Sequence, residues 1–113
     1  MPKPSNDIAE ITAALIKFRD ERDWAQFHNP KDLAAALSIE AGELLECFLW
    51  KTHGEAELPK VKEELADVLA YALLLARHYR LDVKQIVLDK IARNAQKYPV
   101  DKARGSAKKD TEL

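Results

Sequence analysis

The chain has 113 residues, 47% of them hydrophobic and 33% charged, which describes one ordinary globular domain and excludes a disordered segment. A single cysteine, Cys47, excludes an internal disulfide or a cysteine-rich zinc site, and three glycines exclude a Gly-rich phosphate loop. A formal charge of −1 argues against a nucleic-acid polymer as partner, no apolar run approaches the ~20 residues of a membrane span, and the opening MPKPSND lacks the apolar core of a secretory signal, so the cytoplasm is the expected compartment.

Prolines at 2, 4, 30, 59 and 99 punctuate an otherwise helical pattern. The first helix is predicted to start near Asp7, which forms a capping-box spacing with Glu10. Ile8, Ile11, Leu15 and Phe18 then make one apolar stripe that fades around Asp20 to Asp23. Trp24 to His28 reads as a connection. The second helix starts at Asn29-Pro30, an N-cap followed by the residue favoured at the first helical position. It is expected to run through Trp50 or Lys51, with Gly54 as a left-handed stop. The third runs from Pro59 to Tyr79 or Arg80, and its middle, LADVLAYALLLA, is apolar nearly all round, marking the most buried helix. The fourth follows Asp82, with Gln85 as capping-box partner, and continues to Tyr98-Pro99. Residues 1–99 thus form one all-α domain, and 100–113 read as a flexible polar tail.

Charge concentrates in the middle of the chain. Between Glu40 and Asp67 lie eight acidic residues against Lys51, Lys60 and Lys62. Glu40 and Glu43 on the second helix are three apart, as are Glu64 and Asp67 on the third, and residues at that spacing share a helical face. Adjacent antiparallel helices would place the pairs across a common groove, about level with each other. Four carboxylates there repel one another and need protons or a cation. Hard oxygen donors select Mg²⁺, Mn²⁺ or Ca²⁺ over Zn²⁺, and Mg²⁺ usually binds a substrate phosphate as well. The alternative is an ordinary solvated acidic surface, with Glu64 or Asp67 paired to Lys60 or Lys62. Carboxylate-bridged iron would want Glu-x-x-His motifs, and none occurs.

Other residues are compatible with a nucleotide. Lys90, Asn94 and Lys97 occupy about one face of the fourth helix and can meet phosphate, or can be an exposed basic face favoured by the helix C-terminus. Trp24, Trp50 and Tyr71 offer rings on which a base can stack. For Tyr71 periodicity alone favours core packing, whereas Trp50 falls within the helical arc of Glu40, Glu43 and Cys47. His28 can bond a base, a sugar or a backbone carbonyl. Cys47 reads as a packing residue, with no base predictably near it.

The strings EAGELLE at 40–46 and EELADV at 63–68 resemble the E-x-x-E … E-x-x-D signature of the all-α nucleoside triphosphate pyrophosphohydrolases, the MazG-like superfamily. FRDERDWAQFH at 18–28, FLWK at 48–51 and KIARNAQKYP at 90–99 are similar to its dCTP pyrophosphatase branch. The resemblance spans about residues 8 to 99. It implies a four-helix MazG-like bundle completed by oligomerisation, as a homodimer or dimer of dimers. It implies hydrolysis of a nucleoside triphosphate, dCTP or a modified dCTP, to the monophosphate and pyrophosphate, as house-cleaning of the nucleotide pool. Glu40, Glu43, Glu64 and Asp67 would hold Mg²⁺, with Mn²⁺ as a substitute, and one of them would activate the water. Trp24, His28, Trp50 and Tyr71 would contact base and sugar, and Lys90, Asn94, Lys97 and Tyr98 the phosphates. The competing reading is a non-catalytic helical module that senses nucleotides or binds another protein.

Overall fold

A computed structural model describes residues 6–113. The chain forms two compact units that divide between Leu81 and Asp82. All regular structure among the described residues is helical, and none of these helices is long and apolar enough to cross a membrane.

The first unit holds α1 (Asp7–Glu21), α2 (Pro30–Glu46) and α3 (Leu58–His78), joined by 3-10 turns at Ala25–Phe27 and His53–Glu55. The caps differ in part from expectation. Asn6, not Asp7, caps α1, its side chain accepting from the Ala9 N–H at 3.2 Å. The cap thus falls one residue earlier, leaving Asp7 and Glu10 in the first turn, where acids suit the helix dipole. Asn29 caps α2 as expected, accepting from the Asp32 N–H at 2.9 Å, with Pro30 at the first helical position.

α2 and α3 form the largest helix–helix contact, and α1 packs on α3. Buried apolar side chains are few among the described residues: Leu33 on α2, and Leu74 and Ala76 on α3. Helix three therefore carries two of the three, in keeping with its apolar sequence. The α1 stripe is only partly covered, since Ile11 and Phe18 stay exposed.

The second helix stops earlier than its sequence suggests. α2 ends at Glu46, and the next residues wind more tightly, Cys47, Phe48 and Leu49 donating to carbonyls three residues back. Trp50 then takes a left-handed φ of 60°. Gly54 has no left-handed conformation and lies instead within the 3-10 turn. Asp23 (φ 54°) and Arg80 (φ 53°) play the same part beyond α1 and α3. With only three glycines in the chain, these turns fall to residues for which the left-handed region is costly, by roughly 1–2 kcal/mol each.

The second unit comprises α4 (Val83–Lys97), α5 (Val100–Ala103) and a closing 3-10 turn at Asp110–Glu112. Asp82 caps α4 through the Gln85 N–H at 3.0 Å. The reciprocal half of the capping box is replaced, because the Gln85 side chain donates to Asp89 at 2.8 Å. Residues 100–113, expected to be a polar tail, contain two short helical turns. Ile86, Val87, Leu88 and Ile91 of α4 are exposed.

Candidate active site

The burial pattern of α2 and α3 distinguishes their acids. On α2 the more covered positions include Leu33, Leu37, Glu40 and Leu44, with Cys47 just beyond its end, a stripe at helical spacing. On α3 they include Val61, Glu64, Val68, Tyr71 and Leu75. Glu40 and Glu64 therefore occupy stripe positions that periodicity reserves for apolar side chains. Glu43 and Asp67 are exposed beside them.

Folding the two stripes together brings one oxygen each of Glu40, Glu43 and Glu64 within 4.8 Å of one another. Oε2 of Glu40 and Oε2 of Glu64 are buried with no hydrogen-bond partner. The energetic consequence lies in their proton affinity. Glu40 is raised from the usual 4.5 to about 7 by hydrogen bonding to the Glu43 carboxyl, then by burial and the charges of Glu43, Asp67 and Glu64. Glu64 is raised too, chiefly by burial and then by Glu43. Asp67 enters through its charge, which acts on both residues, and it is not one of the three that converge. Orphaned buried carboxylate oxygens crowded by like charge are suited to a hard divalent cation, which would supply the missing partners. The donor set, three carboxylates, fits such an ion and offers no soft ligand.

The expected aromatic contacts are placed unevenly. His28 packs edge-on against Tyr71, ring centroids 6.5 Å apart. Its Nδ1 is buried without a partner, and burial followed by the Arg19 charge lowers its pKa from 6.5, so the imidazole is neutral at neutral pH. Tyr71 lies on the covered stripe of α3 one turn beyond Asp67. Trp24 is exposed. Its ring meets Phe18 edge-on at 5.8 Å, while the Arg22 guanidinium sits 3.6 Å from the Phe18 ring centroid. Trp50 is 93% exposed. Because α2 ends before it, Trp50 does not share the helical arc with the acids that an unbroken helix would give. Cys47 does remain beside them, its thiol donating to the Glu43 carbonyl at 3.7 Å, as a packing residue would. Lys90, Asn94 and Lys97 lie on α4 of the second unit, and Tyr98 is its C-cap, with its N–H bonded to the Asn94 carbonyl at 2.8 Å.

One contribution has no local signal in the sequence. Arg19 acts on His28 from α1, and no spacing rule links the two residues, because the irregular turn around Ala25–Phe27 lies between them.

Comparison with known proteins points the same way. The MazG-like family profile matches residues 35–113. The chain is 42% identical to human dCTP pyrophosphatase 1 over 118 aligned residues, covering 97% of this chain and 69% of the human protein. It is 45% identical to the bovine dCTP pyrophosphatase 1, covering 94% and 68%. In three dimensions it resembles a crystal structure of a pyrophosphatase from Archaeoglobus fulgidus, with a TM-score of 0.80, 36% identity, and 88% and 98% of the two chains covered.

Proposed function

The chain belongs to the MazG-like family, and from that premise we propose that it is a Mg²⁺-dependent nucleotide pyrophosphohydrolase. The proposed substrate is dCTP or a modified dCTP, cleaved between its α- and β-phosphates to the monophosphate and pyrophosphate. Its role would be to clear unwanted nucleotides in the cytoplasm. The observation that carries this reading is the convergence of Glu40, Glu43 and Glu64, two of them with orphaned buried oxygens. The relatives named dCTP pyrophosphatase 1 support the choice of base.

Glu40, Glu43 and Glu64, with Asp67 beside them, would hold Mg²⁺ or Mn²⁺. When bound, the ion would neutralise phosphoryl charge and make a water more acidic. The remaining work falls to the chain. Glu40, whose pKa is about 7 without an ion, would give up its proton to hold the cation, so metal affinity should rise with pH through neutrality. Trp24 and Trp50, both exposed, are available to stack on the base, and the neutral His28 beside Tyr71 can bond the base or sugar. Lys90, Asn94, Lys97 and Tyr98 are assigned to the phosphates, where lysine charge stabilises departing pyrophosphate.

The exposed apolar residues support assembly. Ile39 and Leu45 on α2, Leu49 just after it, Leu58, Leu65 and Leu69 on α3, and four residues of α4 face solvent in the single chain. A monomer rarely exposes so much, and a homodimer or dimer of dimers would cover it.

A pyrophosphate-release screen over the common and modified nucleotides, with and without Mg²⁺, tests the proposal. Release confined to Mg²⁺ and greatest with a deoxycytidine triphosphate is expected. Tight nucleotide binding with no release from any of them would overturn it in favour of a sensing module.

A further inference from the structure

The first unit carries a second charged feature, opposite in sign to the carboxylate cluster. A groove of about 220 Å³ is lined by Ile16 and Arg19 of α1 and by Arg77, His78 and Arg80 at the end of α3. Three guanidiniums share it, against one carboxylate that pairs with any of them. That carboxylate is Asp20, which accepts from Arg19 Nε at 2.9 Å and lies 2.9 Å from Nη2. This is the one ion pair among the described residues.

The ordinary account is that cations gather where a helix ends, attracted by its last carbonyls. It covers Arg77 and His78 in the last turn of α3 and Arg19 in the last turn of α1, but it does not explain why the two helix ends bring their cations to one groove. The end of α3 is moreover closed by main chain, since the Arg80 N–H bonds the Arg77 carbonyl at 3.0 Å and the Leu81 N–H bonds the Ala76 carbonyl at 2.9 Å. The guanidiniums of Arg77 and Arg80 are therefore not consumed as caps, and among the described residues no carboxylate or carbonyl accepts from either. Like charges brought to one concave surface repel until an anion joins them. A guanidinium fork matches the oxygens of a phosphate in pairs.

We infer that this groove is a phosphate-binding site, separate from the carboxylate cluster, which takes phosphate or pyrophosphate without a divalent cation. Arg77 and Arg80 grip the anion, Arg19 closes the groove from α1, and His78 adds a ring N–H. The separation is set by helix geometry. Arg77 lies ten residues beyond Asp67 on α3, about 15 Å along the axis, too far for one phosphate to touch both.

The test uses the full chain in EDTA, titrated with sodium pyrophosphate or with inorganic phosphate and followed by calorimetry and amide NMR. The expected result is saturable binding that shifts the amides of residues 16, 19, 77, 78 and 80, retained in Glu43→Gln. Arg77→Gln combined with Arg80→Gln should weaken it by at least about tenfold, and added salt should weaken it in the wild type. Arg19→Gln, on a different helix, should weaken it as well and decides the matter if the double variant fails to fold. Unsaturable binding, unchanged affinity in the folded arginine variants, or loss in Glu43→Gln would overturn the inference. The outcome is independent of turnover, so it can fail while the proposed hydrolase stands, or stand while that fails.

Discussion

Cation binding should expel protons from the carboxylate cluster in an amount set by pH. With a pKa of about 7, Glu40 holds its proton in about nine molecules in ten at pH 6, about half at pH 7 and about one in ten at pH 8. A hard dication takes deprotonated oxygens. Binding of Mg²⁺ should therefore release about 0.9, 0.5 and 0.1 proton per site from Glu40 at those three pH values. Calorimetric titration in buffers of differing protonation enthalpy reads that number directly. Glu43→Gln provides the internal control. It removes the first cause of the Glu40 shift, and its amide N–H can donate to the Glu40 carboxylate, which favours the charged form. Glu40 should then fall back toward 4.5, with release at pH 7 dropping toward zero. Turnover should fall by on the order of 10³ while the helical signal is unchanged. Proton release that is flat from pH 6 to 8, or equal in the variant, would refute the assignment of the cluster as a strained carboxylate site.

The same geometry sets four other outcomes. Without metal, stability should fall as pH rises from about 4.5 through about 7, because folded Glu40 binds a proton more tightly than its unfolded form across that window; urea midpoints at pH 5 and 8 measure this, and saturating Mg²⁺ should flatten the slope. Asp67→Asn should cost about two to three orders of magnitude in kcat, read by pyrophosphate release, with the fold intact; near-normal turnover would remove Asp67 from the site. Trp50→Ala should raise KM or blur base preference and leave Tm unchanged, since the ring is 93% exposed and alanine keeps the same backbone demand at φ 60°. Leu33→Ala, at a position only 2% exposed, should cost about 2–5 kcal/mol in urea unfolding; a loss under about 1 kcal/mol would mean that α2 and α3 do not share a packed interior.

The amino-acid pattern alone determined the helices of this protein, because caps, prolines and apolar spacing act within a few residues of chain. Asn29-Pro30 and Asp82 start their helices where local chemistry says they must. The i,i+3 spacing likewise put each acidic pair on one helical face. The path of the chain beyond Glu46 was decided by tertiary structure. An unbroken helix to Trp50 satisfies the local pattern, but the chain must turn toward α3, so it tightens and gives the left-handed position to a tryptophan rather than to Gly54. That turn sets the register of α2 against α3. Register in turn selects which oxygens converge, placing the half-buried Glu40 and Glu64 against the exposed Glu43 while Asp67 acts through its charge. The same holds for the arginine groove, whose residues come from helices that are distant in the chain. Periodicity orients side chains around one helix axis; only the packing of two axes fixes the distances at which charges on different helices meet.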